Sequence, residues 1–181
     1  MTGVIRRSVN NLLALALVLT AFVAPVRAQS RNDLRDVDLD LGDLKKLVVP
    51  AGNEVNYIAY AEGVQIYRWN GTAWAFVAPE AVLYSGQGKI GIHYAGPTWE
   101  SNSGSYVVGS VMDKATPDPD AIPWLKLKAV TSEGPGIFHR VTYIQRLFTT
   151  GGLAPAEPGD FVGDEERVPY TAWYVFYRTD K

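Results

Sequence analysis

The chain has 181 residues, carries 17 Lys and Arg against 19 Asp and Glu, and contains no cysteine. Without thiols it has no disulfide, no cysteine nucleophile and no cysteine-based zinc site. Its acidic balance excludes the basic face that nucleic acid or an anionic membrane surface requires.

At the amino terminus, Arg6 and Arg7 precede the apolar run Leu12 to Val23, which ends at Pro25 and Val26-Arg27-Ala28. Basic, apolar and small residues in that order predict a signal peptide over residues 1–28, cut before Gln29. The apolar core is about a dozen residues, short of the roughly 20 that cross a bilayer. No later stretch is long and apolar enough to span one, so no membrane span is expected after cleavage. Taking away Arg6, Arg7 and Arg27 lowers the 17 basic residues to 14 against 19 acidic ones, a net charge of −5. The product is expected to be secreted, to the periplasm or beyond the cell, and its roughly 150 residues suit one domain.

Residues 29–46 form a charged leader in which Leu34, Val37, Leu39, Leu41 and Leu44 are threaded between acids. The spacing of Asp33, Asp36, Asp38, Asp40 and Asp43 lacks the twelfth-position Glu and flanking helices of an EF-hand. The leader is expected to lay its leucines on the domain that follows.

From Leu47 to Lys181 the signals are β signals. Tyr57 to Ala61, Val64 to Trp69 and Thr72 to Val77 read as strands, and Asn70-Gly71 predicts a tight hairpin with both turn residues at positive φ. Pro79-Glu80-Ala81 reads as a turn into Val82-Leu83-Tyr84. Ile90, Ile92 and Tyr94 alternate with Gly91, His93 and Ala95, and Gly96-Pro97 breaks the pairing before Thr98-Trp99-Glu100. Ser105 to Val111, Ile122 to Val130, Ile137 to Thr149 and Val168 to Arg178 complete the set, with a Gly, Pro and Asp-rich loop from Gly151 to Glu166. No helical period appears. Nine or ten short antiparallel strands predict an all-β sandwich or a partly closed barrel.

Several stretches stand together in order and spacing: Gly63-Val64-Gln65-Ile66-Tyr67, Pro79-Glu80-Ala81, His93 to Glu100, Ile122-Pro123-Trp124-Leu125, Ile144-Gln145-Arg146, Thr150-Gly151-Gly152 and Arg167 to Ala172. With them the chain, from about Leu47 to Tyr177, resembles the uncharacterised domain of unknown function 3455, found among secreted proteins of fungi and bacteria. The resemblance implies no activity, cofactor or catalytic residue. It does imply a disulfide between cysteines after the Gln-Ile-Tyr stretch and after the Gly-Gly-x-x-Pro loop. Here those places read Arg68-Trp69 and Gly159-Asp160, so any link between hairpin and late loop is noncovalent or absent.

Gly86-Gln87-Gly88-Lys89-Ile90-Gly91 has the letters of a dinucleotide fingerprint, but no helix follows to meet a pyrophosphate. It is equally no phosphate loop, since Ile90 follows Lys89. His93 and His139, the only histidines, show no ligand spacing, so no metal and no cofactor is expected. No Gly-x-Ser-x-Gly elbow is present. The candidate ligand-binding residues are His93, Tyr94, Trp99 and Glu100 at the Gly-Pro corner, with Trp124 set on the wet face of its strand beside Lys126 and Lys128. They point to a ligand-binding or structural module whose partner is a small molecule, a glycan or a protein. The alternative is a small glycan-acting hydrolase that uses Glu80 and Glu100 as its carboxylate pair with His93 assisting. A purely structural protein would instead show a broad apolar patch and no pocket.

Overall fold

Eight strands account for the alternating stretches: β1 (Asn53–Trp69), β2 (Trp74–Ser85), β3 (Gly88–Tyr94), β4 (Thr98–Ser101), β5 (Tyr106–Ala115), β6 (Trp124–Glu133), β7 (Val141–Gly151) and β8 (Glu165–Thr179). The computed structural model describes residues 42–180, so the expected signal peptide over residues 1–28 and the leader up to Leu41 lie outside the described residues. Each strand pairs antiparallel with the next, and β8 returns to pair with β1, which closes one sheet into a barrel. Closure removes the open edges that a sandwich would keep.

There are eight strands because two expected breaks lie inside strands. Gly63 joins Tyr57–Ala61 to Val64–Trp69 in the 17 residues of β1. A Cβ there would sit 2.1 Å from the Glu80 carbonyl oxygen, so this glycine permits close approach of β1 and β2. Pro79 likewise lies within β2, opposite Gln65. Pairing between β2 and β3 covers only Ala81 to Ser85, so at Pro79 no β3 neighbour needs its missing N–H. Pro169 in β8 sits beyond the last β7 pair, Gly151 with Tyr170, for the same reason.

The hairpin after β1 stands where predicted, but its turn differs. Trp69 pairs with Trp74 across a four-residue link, and Gly71 alone takes positive φ, at 95°. Asn70 instead accepts hydrogen bonds through Oδ1 from the Thr72 and Ala73 amides, both at 2.9 Å, so its side chain does the turning. The link between this hairpin and the late loop is present and noncovalent. The Trp69 amide donates to Asp164 O, Gly163 donates to Trp69 O, and a Cβ on Gly159 would touch the Trp69 side chain at 2.8 Å.

Small residues on β1, β2 and β8 (Ala59, Ala61, Ala81, Ala172) share the interior cluster with large ones (Trp99, Phe138, Tyr174, Phe176). An eight-stranded barrel has an interior just wide enough for side chains to fill or for one small ligand. β6 and β7 pair only from Leu125–Lys128 to Tyr143–Arg146; Phe138, fully buried in the link between them, plugs that end of the barrel. Ser132 Oγ accepts from the Val141 amide at 2.9 Å and donates to Phe138 O at 2.7 Å, which holds the plug.

A 3₁₀ segment, Gly42–Leu47, lies on the outer face. Leu47 is buried against Ala115, Leu147 and Val175, with Leu44 and Trp124 packed alongside. Gln145 donates to Leu47 O at 2.7 Å and accepts from the Tyr177 hydroxyl at 2.6 Å, so a buried amide is satisfied beneath the segment.

Replacing Gly63 by Ala is expected to lower stability by about 1–3 kcal/mol, the range for inserting volume where backbone cannot yield. Gly86→Ala, where a Cβ meets nothing within 4 Å, is the matched control and should stay within about 0.5 kcal/mol of the parent. Urea midpoints of the two variants decide this; equal midpoints would remove the close-approach argument.

Candidate functional site

The strand turn at Ala95-Gly96-Pro97, with Gly96 at φ 119°, sets β3 and β4 in a register that pairs His93 with Trp99. Both point into the barrel, where His93 is 3% and Trp99 1% exposed. The imidazole stacks on the indole at 4.4 Å between centroids with planes 7° apart. Tyr174 meets both rings edge-on, each at 5.2 Å.

His93 Nδ1 lies 2.7 Å from Thr98 O. A carbonyl only accepts, so Nδ1 carries the proton and Nε2 keeps its lone pair. Burial, opposed by that hydrogen bond and assisted by the nearby charge of Arg146, pushes the imidazole down to about 3. His93 is therefore neutral at ordinary pH.

Around this stack the interior is polar. Arg146 on β7 pairs in register with Tyr174 and turns its part-buried guanidinium to Pro123 O, with Nε at 3.1 Å and Nη2 at 2.9 Å. The Tyr170 and Tyr174 hydroxyls stand 3.4 Å apart. Burial holds both above the ordinary tyrosine range against the opposing field of Arg146, so both stay protonated and able to donate. Tyr67 donates to Gly152 O at 2.6 Å, and Gln65 lies beside Gly152. The buried Gln65 Nε2 donor approaches the Tyr170 hydroxyl without reaching hydrogen-bond distance, and neither it nor the buried Trp99 Nε1 meets an acceptor at that distance in the protein. Buried donors are nearly always paired, so two in one interior mark it as unusual.

The end of the barrel above this cluster is stopped by the Ala121–Pro123 segment, which is tied to the end of β7. Ile122 donates its amide to Gly151 O at 2.9 Å, and Thr149 Oγ1 donates to Ile122 O at 2.5 Å. Ala121 and Ile122 are buried as a result.

Of the five residues expected to share a ligand surface, His93 and Trp99 come together inside the barrel and Tyr94 and Glu100 outside it, with Trp124 apart from both pairs. Tyr94 and Glu100 face outward by strand alternation, with the Tyr94 hydroxyl donating to Glu100 at 2.9 Å. Trp124 is also on the outer face, yet its ring is partly covered: it packs beside Leu47 and meets Phe148 edge-on at 4.7 Å. Across the sheet, Tyr94 aligns through Thr98 and Val108 with Thr131 of β6. Trp124 lies seven residues from Thr131 on that strand, roughly 23 Å away, so it does not adjoin the corner. Glu80 is ion-paired with Arg167 on the outer surface, while Glu100 is held by Tyr94. Each carboxylate thus has its own partner. His139 lies in the β6–β7 link, and among the described residues no group of three His, Asp or Glu side chains is placed to hold a metal.

Sequence reasoning passed over Gln65, Tyr67, Arg146, Tyr170 and Tyr174. One signal was available: Gln65 and Arg146 are long polar residues at positions whose strand neighbours two residues away are apolar or small. The stretches that carry the family resemblance also converge on this end of the barrel, from Gln65 and Tyr67 through His93 and Trp99 to Ile122, Arg146, Gly152 and Tyr170.

No curated protein and no solved structure matches the chain. The profile of the family described as "Protein of unknown function (DUF3455)" matches residues 50–178, which takes in all eight strands but for the last residue of β8. The chain belongs to that family.

Proposed function

We propose that this is an exported β-barrel that binds a small molecule in the interior beneath the Ala121–Pro123 segment. The observation that carries the reading is the pair of buried donors, Gln65 Nε2 and Trp99 Nε1, that no protein acceptor meets, set beside Arg146 in an aromatic interior. Ligand sites of this kind are mostly apolar with a few convergent polar groups, and they sit in the mouths of barrels. Export is supported by the order of basic, apolar and small residues in Met1–Ala28; the protein should be recovered outside the cytoplasm beginning at Gln29, and recovery only from the cytoplasm with Met1 retained would contradict export.

The test is a thermal-shift screen of the purified protein against neutral and charged small molecules and glycans, followed by indole N–H spectra of the five tryptophans. A stabilising compound should move the Trp99 signal and leave Trp124 in place. Movement confined to Trp124 or Trp173 would put binding on the outer face and end this reading, as would the absence of any stabilising compound.

A further inference from the structure

The interior cluster contains one formal charge. Arg146 takes part in none of the four ion pairs among the described residues, which join Arg68 to Glu165, Lys126 to Asp113, Arg167 to Glu80 and Arg178 to Glu54. A guanidinium has five N–H donors. Two of them go to Pro123 O, a neutral carbonyl, and the guanidinium also faces the Tyr174 hydroxyl, a neutral acceptor. The titratable side chains that feel its charge, Tyr67, His93, Tyr170 and Tyr174, are all neutral. A part-buried charge without a counter-ion is costly to keep, and tying down one loop carbonyl needs only a neutral donor. Donors are in surplus here, and a charged acceptor is what is missing.

Resting on the binding reading above, we infer that this end of the barrel receives the carboxylate of a small organic acid with an apolar body. Arg146 anchors the carboxylate, Gln65 supplies a neighbouring amide donor, and the Trp99 and Tyr174 rings pack against the body. One guanidinium among neutral donors suits a monoanion, whereas a phosphate dianion calls for more than one cation. A carboxylate is also a stronger acceptor for guanidinium than the Pro123 carbonyl it would replace, so the ligand competes directly for the bond that ties Arg146 to the stopper segment.

Calorimetric titration of the purified protein with acetate, hexanoate and benzoate, with their neutral amides and with inorganic phosphate tests the assignment. At least one carboxylate should bind, its amide at least tenfold more weakly. Arg146→Met should cost that carboxylate at least tenfold, and Gln65→Leu severalfold. Equal binding of acid and amide, tighter binding of phosphate, indifference to Arg146→Met, or no binding by any of the three acids would overturn the carboxylate assignment. A neutral compound that moves the Trp99 indole would leave the binding reading standing in each of those cases, so the two failures are distinguishable. Should Arg146→Met fail to fold, the Arg146 Nε–H resonance of the parent protein decides: it should move with the acids and not with the amides, and a resonance unmoved by every acid overturns the proposal.

Discussion

Trp99→Ala should cost about 3–5 kcal/mol, the range for removing a large aromatic from a packed core. The indole is 1% exposed and touches three rings at once: His93 stacked at 4.4 Å, Tyr174 at 5.2 Å and Phe176 at 6.0 Å. Its neighbours cannot collapse into the gap, because they project from strands that the closed ladder holds in place. Gly109 has already been kept bare for this ring; a Cβ there would come within 3.1 Å of it. A domain of this size has only about 5–15 kcal/mol to lose. Chemical unfolding of the variant should therefore show a much lower midpoint, and Trp99→Phe should recover part of the loss. A Trp99→Ala protein as stable as the parent would mean that the ring is not buried in the core.

Acid should destabilise the protein through His93. The folded imidazole has been pushed down to about 3, whereas in the unfolded chain it titrates near the ordinary value of about 6.5. Between those limits only the unfolded chain binds the proton, so stability is full above about pH 6.5 and is withdrawn as the pH falls toward 3. Each unit is worth about 1.4 kcal/mol, so acidification from pH 7 to pH 4 removes about 3 kcal/mol by this route. The His93→Asn variant isolates this route, since an asparagine amide can still donate toward Thr98 O and does not titrate. That variant should be less stable than the parent at pH 7, because it loses the stack on Trp99. Its stability should fall by about 3 kcal/mol less between pH 7 and pH 4. Parallel curves for the two proteins would show that the folded His93 titrates normally.

The strand character of this chain was legible because alternation is a local property. Ile90, Ile92 and Tyr94 against Gly91, His93 and Ala95 predict a strand without reference to anything distant, and β3 follows. Gly63 and Pro79 misled for a related reason. Each is a common breaker, and what keeps it inside a strand is a neighbour remote in sequence: the close approach of Glu80 to Gly63, and the early end of β3 beside Pro79. The site was half legible. His93 and Trp99 share a face because the register pairs them directly across a tight turn, whereas Tyr94 and Glu100, each one residue away, must take the other face. Trp124 sits outside as its alternation with Lys126 and Lys128 implies, but Leu47 and Phe148 cover part of it, and no pattern within β6 foretells that.

Composition and period alone determined an antiparallel all-β chain without disulfides, a hairpin at Asn70-Gly71 and a corner at Gly96-Pro97. Tertiary structure decided which face of each strand became the interior. A period of two distinguishes two faces without saying which one the ring will enclose. Pairing of β1 with β8, strands more than 90 residues apart in the chain, made that choice. It thereby turned His93, Trp99 and Arg146 inward together and left Tyr94, Glu100 and Trp124 outside.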